Sequence, residues 1–388
     1  MSVPFPPPVS PTIPTEGISR LPSLDALRGV FALIVVAHHF LLALAPDSIA
    51  IVAALKETPA AALVAGRAPV IVFFVLSGFV MMLPFASGRT PAFGTYALRR
   101  LIRIYVPFAC SIFLAAALYK LSAPGEIRTL TSWFNESAWD AAPRPMLVLK
   151  HLAMTGRWED MRLNPVMWSL VHELRVSLVF PLIAAMALWS KKATLATAGL
   201  LYVVGFHGAL LVDGSILISL FDTLRFSAFF IVGAIMALRL RELTHWAASL
   251  GNLGFAASLG GVICLFSLKP SFVSELLFAG AAVGSIALAV GARSAVEVLS
   301  LQPLRWLGRV SFSLYLVHMP VMLAVFHLAD RHLGLAETTV LASVAVLVAS
   351  EVFYRLFEKP SHVLGRALGG TREGKPALPS SNTRVRNL

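Results

Sequence analysis

"LDALRGVFALIVVAHHF", residues 24–40, places an aspartate and an arginine at the mouth of a long apolar run and two adjacent histidines far inside it. As an α-helix rising about 1.5 Å per residue, a run continuing to about residue 45 is long enough to cross the ~30 Å hydrocarbon core of a bilayer. Hydrocarbon is a poor solvent for imidazole, so the stretch identifies both a spanning helix and a candidate site.

The rest of the chain follows the same pattern. Of its 388 residues, 57% are hydrophobic and 13% charged, against about 45–50% and about 25% in soluble domains. The sequence predicts an all-α polytopic membrane protein. Its apolar runs are too long and too continuous for a β-barrel, whose strands alternate with period two. About ten transmembrane helices are expected, near 24–45, 69–86, 101–121, 166–189, 194–212, 216–238, 251–268, 272–291, 311–329 and 337–357. Segments on the side of the N-terminus carry about twice as many Lys and Arg as those opposite. By the positive-inside rule this makes both termini cytoplasmic. The net charge of +12 therefore belongs to topology, and no nucleic-acid partner is expected.

The remaining pieces are small. Residues 1–22 form a Pro-rich lead expected to be disordered, 23–361 a single transmembrane domain, and 362–388 a basic disordered tail. The one sizeable extramembrane piece is the loop at about 122–165, whose tryptophans suggest packing on the membrane surface. Cys110 and Cys264 both fall inside predicted helices and read as core residues, and neither a zinc-binding nor a Gly-rich phosphate motif is present.

An ionisable residue inside a membrane helix costs at least about 2.5–3.5 kcal/mol at the midplane, so each is a functional candidate by default. Arg28 and His39 are eleven residues apart, about three turns, and share one face with Asp25; His38 is turned about 100° away. Arg100 and Arg103 lie one turn apart at the start of the third span, where guanidinium groups can pair phosphate bidentately. Glu173 enters the fourth span between Ser169 and Ser177 on one face, at a depth comparable to His39. Tyr315 and His318 share a face in a later span, and Ser77 with Gly78 sits mid-way along the second. Each has a plain structural alternative: snorkelling for Arg28, topology for Arg100 and Arg103, an ion pair for Glu173, close helix packing at Gly78.

Taken in order, these stretches resemble the acyltransferase-3 family of bacterial membrane O-acyltransferases. The family's Leu-Asp-x-Leu-Arg-Gly opening and its following histidine correspond to Leu24–Gly29 and His39, which selects His39 over His38. "FFVLSGF" stands at 73–79, Arg-x-x-Arg-Ile at Arg100, Arg103 and Ile104, and "WSL" with its glutamate and proline at Trp168, Ser169, Leu170, Glu173 and Pro181. "SLYLVH" with its proline occupies 313–318 and Pro320, and Glu358 and Pro360 form a closing Glu-x-Pro. Where many members have a second acid and an aromatic, this chain has Leu174 and Ser177. It is similar to the short form without an appended esterase-like domain.

The resemblance implies a transferase of the bacterial cytoplasmic (inner) membrane. Such an enzyme moves an acyl group, usually acetyl, from acyl-CoA to a sugar hydroxyl on a glycan or lipid-linked glycan. On that expectation acetyl-CoA is a co-substrate, with no permanently bound cofactor or metal. Arg100, Arg103 and Arg28 would hold CoA phosphates, His39 would act as general base and Glu173 would orient it. Asp25, Ser77, Trp168, Ser169, Tyr315 and His318 would contact substrate or the developing oxyanion. Intramembrane His and Glu also serve proton-coupled transporters, and a non-catalytic partner in glycan assembly is a third class. No repeat between the two halves of the chain supports the transporter.

Overall fold

A computed structural model describes residues 21–44, 57–89, 91–122, 125–140, 142–330 and 332–368. The first long helices are α1 (Pro22–Ala43), α2 (Arg67–Ala86) and α3 (Phe93–Ser122), followed by two short ones, α4 (Ser132–Ser137) and α5 (Pro145–Leu152). Next come α6 (Trp168–Trp189), α7 (Lys191–Leu211), α8 (Ser215–Ala237), α9 (Leu240–Ala248) and α10 (Asn252–Phe266). The chain ends with α11 (Phe272–Gly291), α12 (Arg293–Leu299), α13 (Gln302–Ala329), α14 (Leu335–Phe353), a π-turn at Tyr354–Glu358 and α15 (Lys359–Leu368). No strand occurs among the described residues.

Nine of the described helices are long and apolar enough to cross a membrane, or up to ten if the bent pair α9 and α10 forms one span. This is the polytopic all-α architecture expected. The exception is the span expected at 251–268. Here α10 has only 15 residues, about 22 Å of helix, and joins α9 at a 120° bend. The last helix reaches Leu368, inside the segment expected as a tail; residues 1–20 and 369–388 of the proposed lead and tail lie outside the described residues.

Within a bilayer, helices associate through close packing, and small residues let their backbones approach. Gly29 on α1 and Gly308 on α13 show this directly: a Cβ on either would lie 2.5 Å from the other helix's backbone. The two helices run parallel, since Gly29 meets Gly308 at one end and His39 meets His318 ten residues further along both chains. A second close pair joins α2 to α8, where a Cβ on Gly78 would lie 2.0 Å from the Phe230 carbonyl oxygen and one on Gly233 1.9 Å from that of Val75. Gly78 thus serves packing, as its size suggested. Around these pairs the apolar side chains form two large buried clusters, one centred on α2, α8 and α11, the other on α1, α3, α13 and the 122–165 segment.

That segment folds inward. Thr131 donates its hydroxyl to the Leu42 carbonyl (2.6 Å) and its N–H to that of Ala43 (3.1 Å), satisfying carbonyls that the end of α1 leaves open. Trp139 is buried, with its indole N–H on the Leu163 carbonyl at 3.1 Å, and Trp133 stacks on His39. Only Trp158 of the three tryptophans is exposed. The membrane-surface role expected for them is therefore corrected for Trp133 and Trp139, which seal the end of the bundle. The same infolding carries buried Asn164 to the Leu316 carbonyl, 2.8 Å away and half-way along α13. Helix α6 thus begins deep within the bundle instead of at its surface.

Candidate active site

Two cavities approach each other from opposite ends of the bundle. The first, about 140 Å³, opens at the end where α1 and α13 begin, and includes in its lining Asp25, Arg28, Ser77, Arg100, Arg103, Ser169, Glu173 and Tyr315. The second, about 620 Å³, opens toward the other end, between residues 57–68 and 266–270, and includes His38, His39, Arg67, Trp168 and Tyr315. Val70 and Tyr315 line both. Every candidate site residue named from the sequence reaches one of these spaces except His318, which is fully buried behind His39.

The first cavity is basic. Arg28 is tied to Asp25 (3.1 Å), as their shared face suggested. Arg100 lies over the Tyr96 ring, 5.9 Å from its centroid. Arg103 is exposed to the cavity and has no hydrogen bond or ion pair among the described residues. Glu173 and Glu358 face it without contact, while Arg100 and Arg28 repel it, and a bound anion would relieve that repulsion among the membrane helices. Glu173 lies in the same cavity, where it accepts a hydrogen bond from the Ser77 hydroxyl at 3.1 Å.

His39 has a different partner from the one expected. Its Nδ1 lies 3.0 Å from His318 Nε2, and no hydrogen bond joins it to Glu173. The sequence placed Glu173 and His39 at one depth by letting α6 enter from the bundle surface. Because α6 starts deep, Ser169 is level with Tyr315, and Glu173 lies a further turn toward the basic end. His39 and His318 lie on the other side of Tyr315.

Hydrogen-bond chemistry assigns the tautomers. His318 Nδ1 is 2.9 Å from the Tyr315 carbonyl and 3.1 Å from that of Leu314. Carbonyls only accept, so Nδ1 carries the proton and the neutral ring's Nε2 is an acceptor. His39 Nδ1 must then donate to it, which leaves His39 Nε2 with a free lone pair. The His39 ring is held on its face by Trp133, at a centroid distance of 5.7 Å and an interplanar angle of 15°. His38 points elsewhere, its Nδ1 meeting the Val64 carbonyl at 2.8 Å.

Tyr315 divides the two cavities. Its hydroxyl donates to the Val166 carbonyl (2.8 Å) and therefore accepts from Ser169 (2.7 Å). In this geometry its proton is already committed.

A further polar group lies off this axis. Glu275 accepts from Arg225 Nε at 2.9 Å and lies 3.4 Å from Arg67, while Arg225 also reaches Asp222 at 3.4 Å. Two arginines and two carboxylates make a neutral, largely buried cluster. Arg175 turns away from Glu173, as its helical phase required, and donates to Ser219 (2.9 Å), Thr223 (3.0 Å) and the Thr155 carbonyl (2.7 Å).

Three residues at the site were missed in the sequence. Arg67 and Trp133 gave no signal, since one sits at a helix end and the other, stacked on His39, in a short helix of the segment joining two spans. Arg309 did give one: it precedes Phe312 and Tyr315 at intervals of three, and all three line the first cavity.

The family model described as "Acyltransferase domain" matches residues 21–355. No curated protein and no solved structure matches the chain. With most of its length, including every candidate residue named from the sequence, inside that match, the chain belongs to the acyltransferase-3 family.

Proposed function

We propose that this protein is an O-acyltransferase of the bacterial cytoplasmic membrane, moving an acyl group, acetyl in the first instance, from cytoplasmic acyl-CoA to a hydroxyl of a cell-surface glycan or lipid-linked sugar. The observation that carries this reading is the pairing of Arg103, which no carboxylate among the described residues contacts, in one cavity with an unprotonated His39 Nε2 in the other. The first suits an anion-tailed donor and the second a general base.

In this reading the narrow basic cavity takes the donor. Arg103, Arg100 and Arg28 neutralise phosphate, and the extended arm brings the thioester toward Tyr315. The roughly 16 Å rise from Arg28 to His39 matches an arm of that kind. The wider cavity admits the acceptor, with Trp168 as a flat apolar surface. As the acceptor oxygen attacks the thioester carbonyl, His39 Nε2 takes its proton. His318 accepts from Nδ1 and fixes the ring, the orienting role that a carboxylate plays in other base–orienter pairs. When the C–S bond breaks, the thiolate leaves and recovers that proton from His39, giving ester and free thiol. Glu173, with Ser77, positions the donor arm beside Arg103. Ser169 and Tyr315 hold the boundary between donor and acceptor.

The test is direct. Purified protein is incubated with radiolabelled acetyl-CoA and a panel of glycan acceptors. Label appearing on a glycan supports the enzyme; solute flux across vesicles without transfer would support a transporter instead.

A further inference from the structure

Helix α14 does not simply continue into α15; it passes through the π-turn at Tyr354–Glu358. Tyr354, Glu358 and His362 all line the basic cavity. In an unbroken α-helix each step of four residues overshoots a full turn by about 40°, so a stripe at this spacing would drift off the wall. The wider i→i+5 turn falls short over the same step and cancels that drift. Such turns cost hydrogen-bond geometry and concentrate at functional sites. Here the consequence is that one polar wall stays continuous to the cavity mouth.

The wall is built and fixed. Glu358 is buried and accepts from the Ser313 N–H (3.0 Å) and hydroxyl (2.5 Å). Arg309, at the mouth, lies with its guanidinium 5.8 Å from the Tyr354 ring centroid. Glu351 steadies it at 3.4 Å while also accepting from Trp306 (2.8 Å) and Arg355 (2.6 Å). One carboxylate shared by two arginines leaves the cluster net positive. Arg309 keeps 45% of its side chain exposed, so its donors remain available. Along α13 it stands six residues, under two turns or about 9 Å, before Tyr315.

From this we infer that Arg309 and Tyr354 form the nucleotide-reading wall of the donor cavity, Arg309 holding the ribose 3′-phosphate of coenzyme A and Tyr354 stacking on its adenine. The inference rests on the donor reading of this cavity. Its chemistry is a planar guanidinium for a phosphate dianion and an aromatic face for a base. The phosphates nearer the arm fall to Arg100 and Arg103, deeper in the same cavity.

The test measures binding of coenzyme A, 3′-dephospho-coenzyme A and S-acetylpantetheine to the full-length protein in nanodiscs. Wild type should bind coenzyme A at least about tenfold more tightly than the dephospho form. Arg309→Met should erase that difference by weakening coenzyme A alone, and Arg309→Lys should restore part of it. Tyr354→Leu should weaken both nucleotides about tenfold and leave S-acetylpantetheine unchanged. Discrimination retained in Arg309→Met, or equal loss of all three ligands in Tyr354→Leu, overturns the wall. Wild-type protein that binds none of the three overturns the donor reading itself.

Discussion

His39 and His318 meet through their ring nitrogens at 3.0 Å, on parallel helices that touch again at Gly29 and Gly308. Because His318 is locked to backbone carbonyls of its own helix, the pair has one consistent arrangement of protons, with His39 Nε2 free. The close glycine contact keeps the two helices in register, and register keeps the two rings in contact. Either glycine enlarged to alanine would push the backbones apart and lengthen the histidine contact.

The first expectation separates the two neighbouring histidines. His39→Ala should reduce acyl transfer by at least about 10³-fold, within the range of a lost base and its oriented proton. His38→Ala should keep most of the transfer, because its ring serves the Val64 carbonyl. It should instead lower thermal stability by about 1 kcal/mol, the worth of one hydrogen bond. Transfer assays and thermal denaturation of both variants in the same detergent check this pair.

His318 should behave as a positioning residue. His318→Ala removes the acceptor for His39 Nδ1–H and should cost about 10²-fold in kcat with donor binding intact. His318→Gln, whose amide oxygen can accept the same hydrogen bond, should recover part of that loss. Equal defects in the two variants would mean that His318 only fills space.

Glu173 should act on the donor, since it shares a cavity with Arg103 and hydrogen-bonds Ser77. Glu173→Gln should raise the KM for acyl-CoA several-fold and leave the pKa of the acid limb of kcat/KM near its wild-type position. A limb displaced by a unit or more would return Glu173 to the role of stabilising the His39 imidazolium. The pH profile of the variant decides between the two.

These expectations also mark how far the sequence could be read. Spanning helices were legible because twenty apolar residues admit few other fates. The facing of Asp25, Arg28, Arg100 and Arg103 was legible because helical phase is local. What failed was the depth of Glu173, which depends on how far the 122–165 segment dips before α6 begins. That is set by tertiary contacts such as Asn164 with Leu316, which leave no periodic trace. Trp133 was missed for the same reason. The bend between α9 and α10 escaped because hydropathy counts apolar residues and not their direction.

The buried cluster off the site should be a stability element. Glu275 serves both Arg225 and Arg67, and its side chain is 2% exposed. Glu275→Gln would strand two cations and should destabilise the fold by about 3–5 kcal/mol, the usual consequence of removing one partner from a buried pair. Donor affinity in the protein that survives purification should be unchanged, because none of these groups lines the basic cavity. Thermal unfolding and coenzyme A binding, measured on one preparation, test both halves.

His151, in the segment outside the membrane spans, ties stability to pH. It is buried, and neither ring nitrogen has a hydrogen-bond partner, so burial pushes its pKa from 6.5 down to about 4. Above pH 6.5 the ring is neutral whether the chain is folded or unfolded, and no proton is exchanged on unfolding. As pH falls from 6.5 toward 4, the unfolded chain takes up a proton that the folded one refuses, so stability declines. At about 1.4 kcal/mol per unit, the loss should approach ~3 kcal/mol at pH 4 and level off below it. His151→Phe, which fills the site without a titrating group, should flatten this part of the stability curve. A slope between pH 6.5 and 4 that persists in His151→Phe would assign the acid sensitivity to another group.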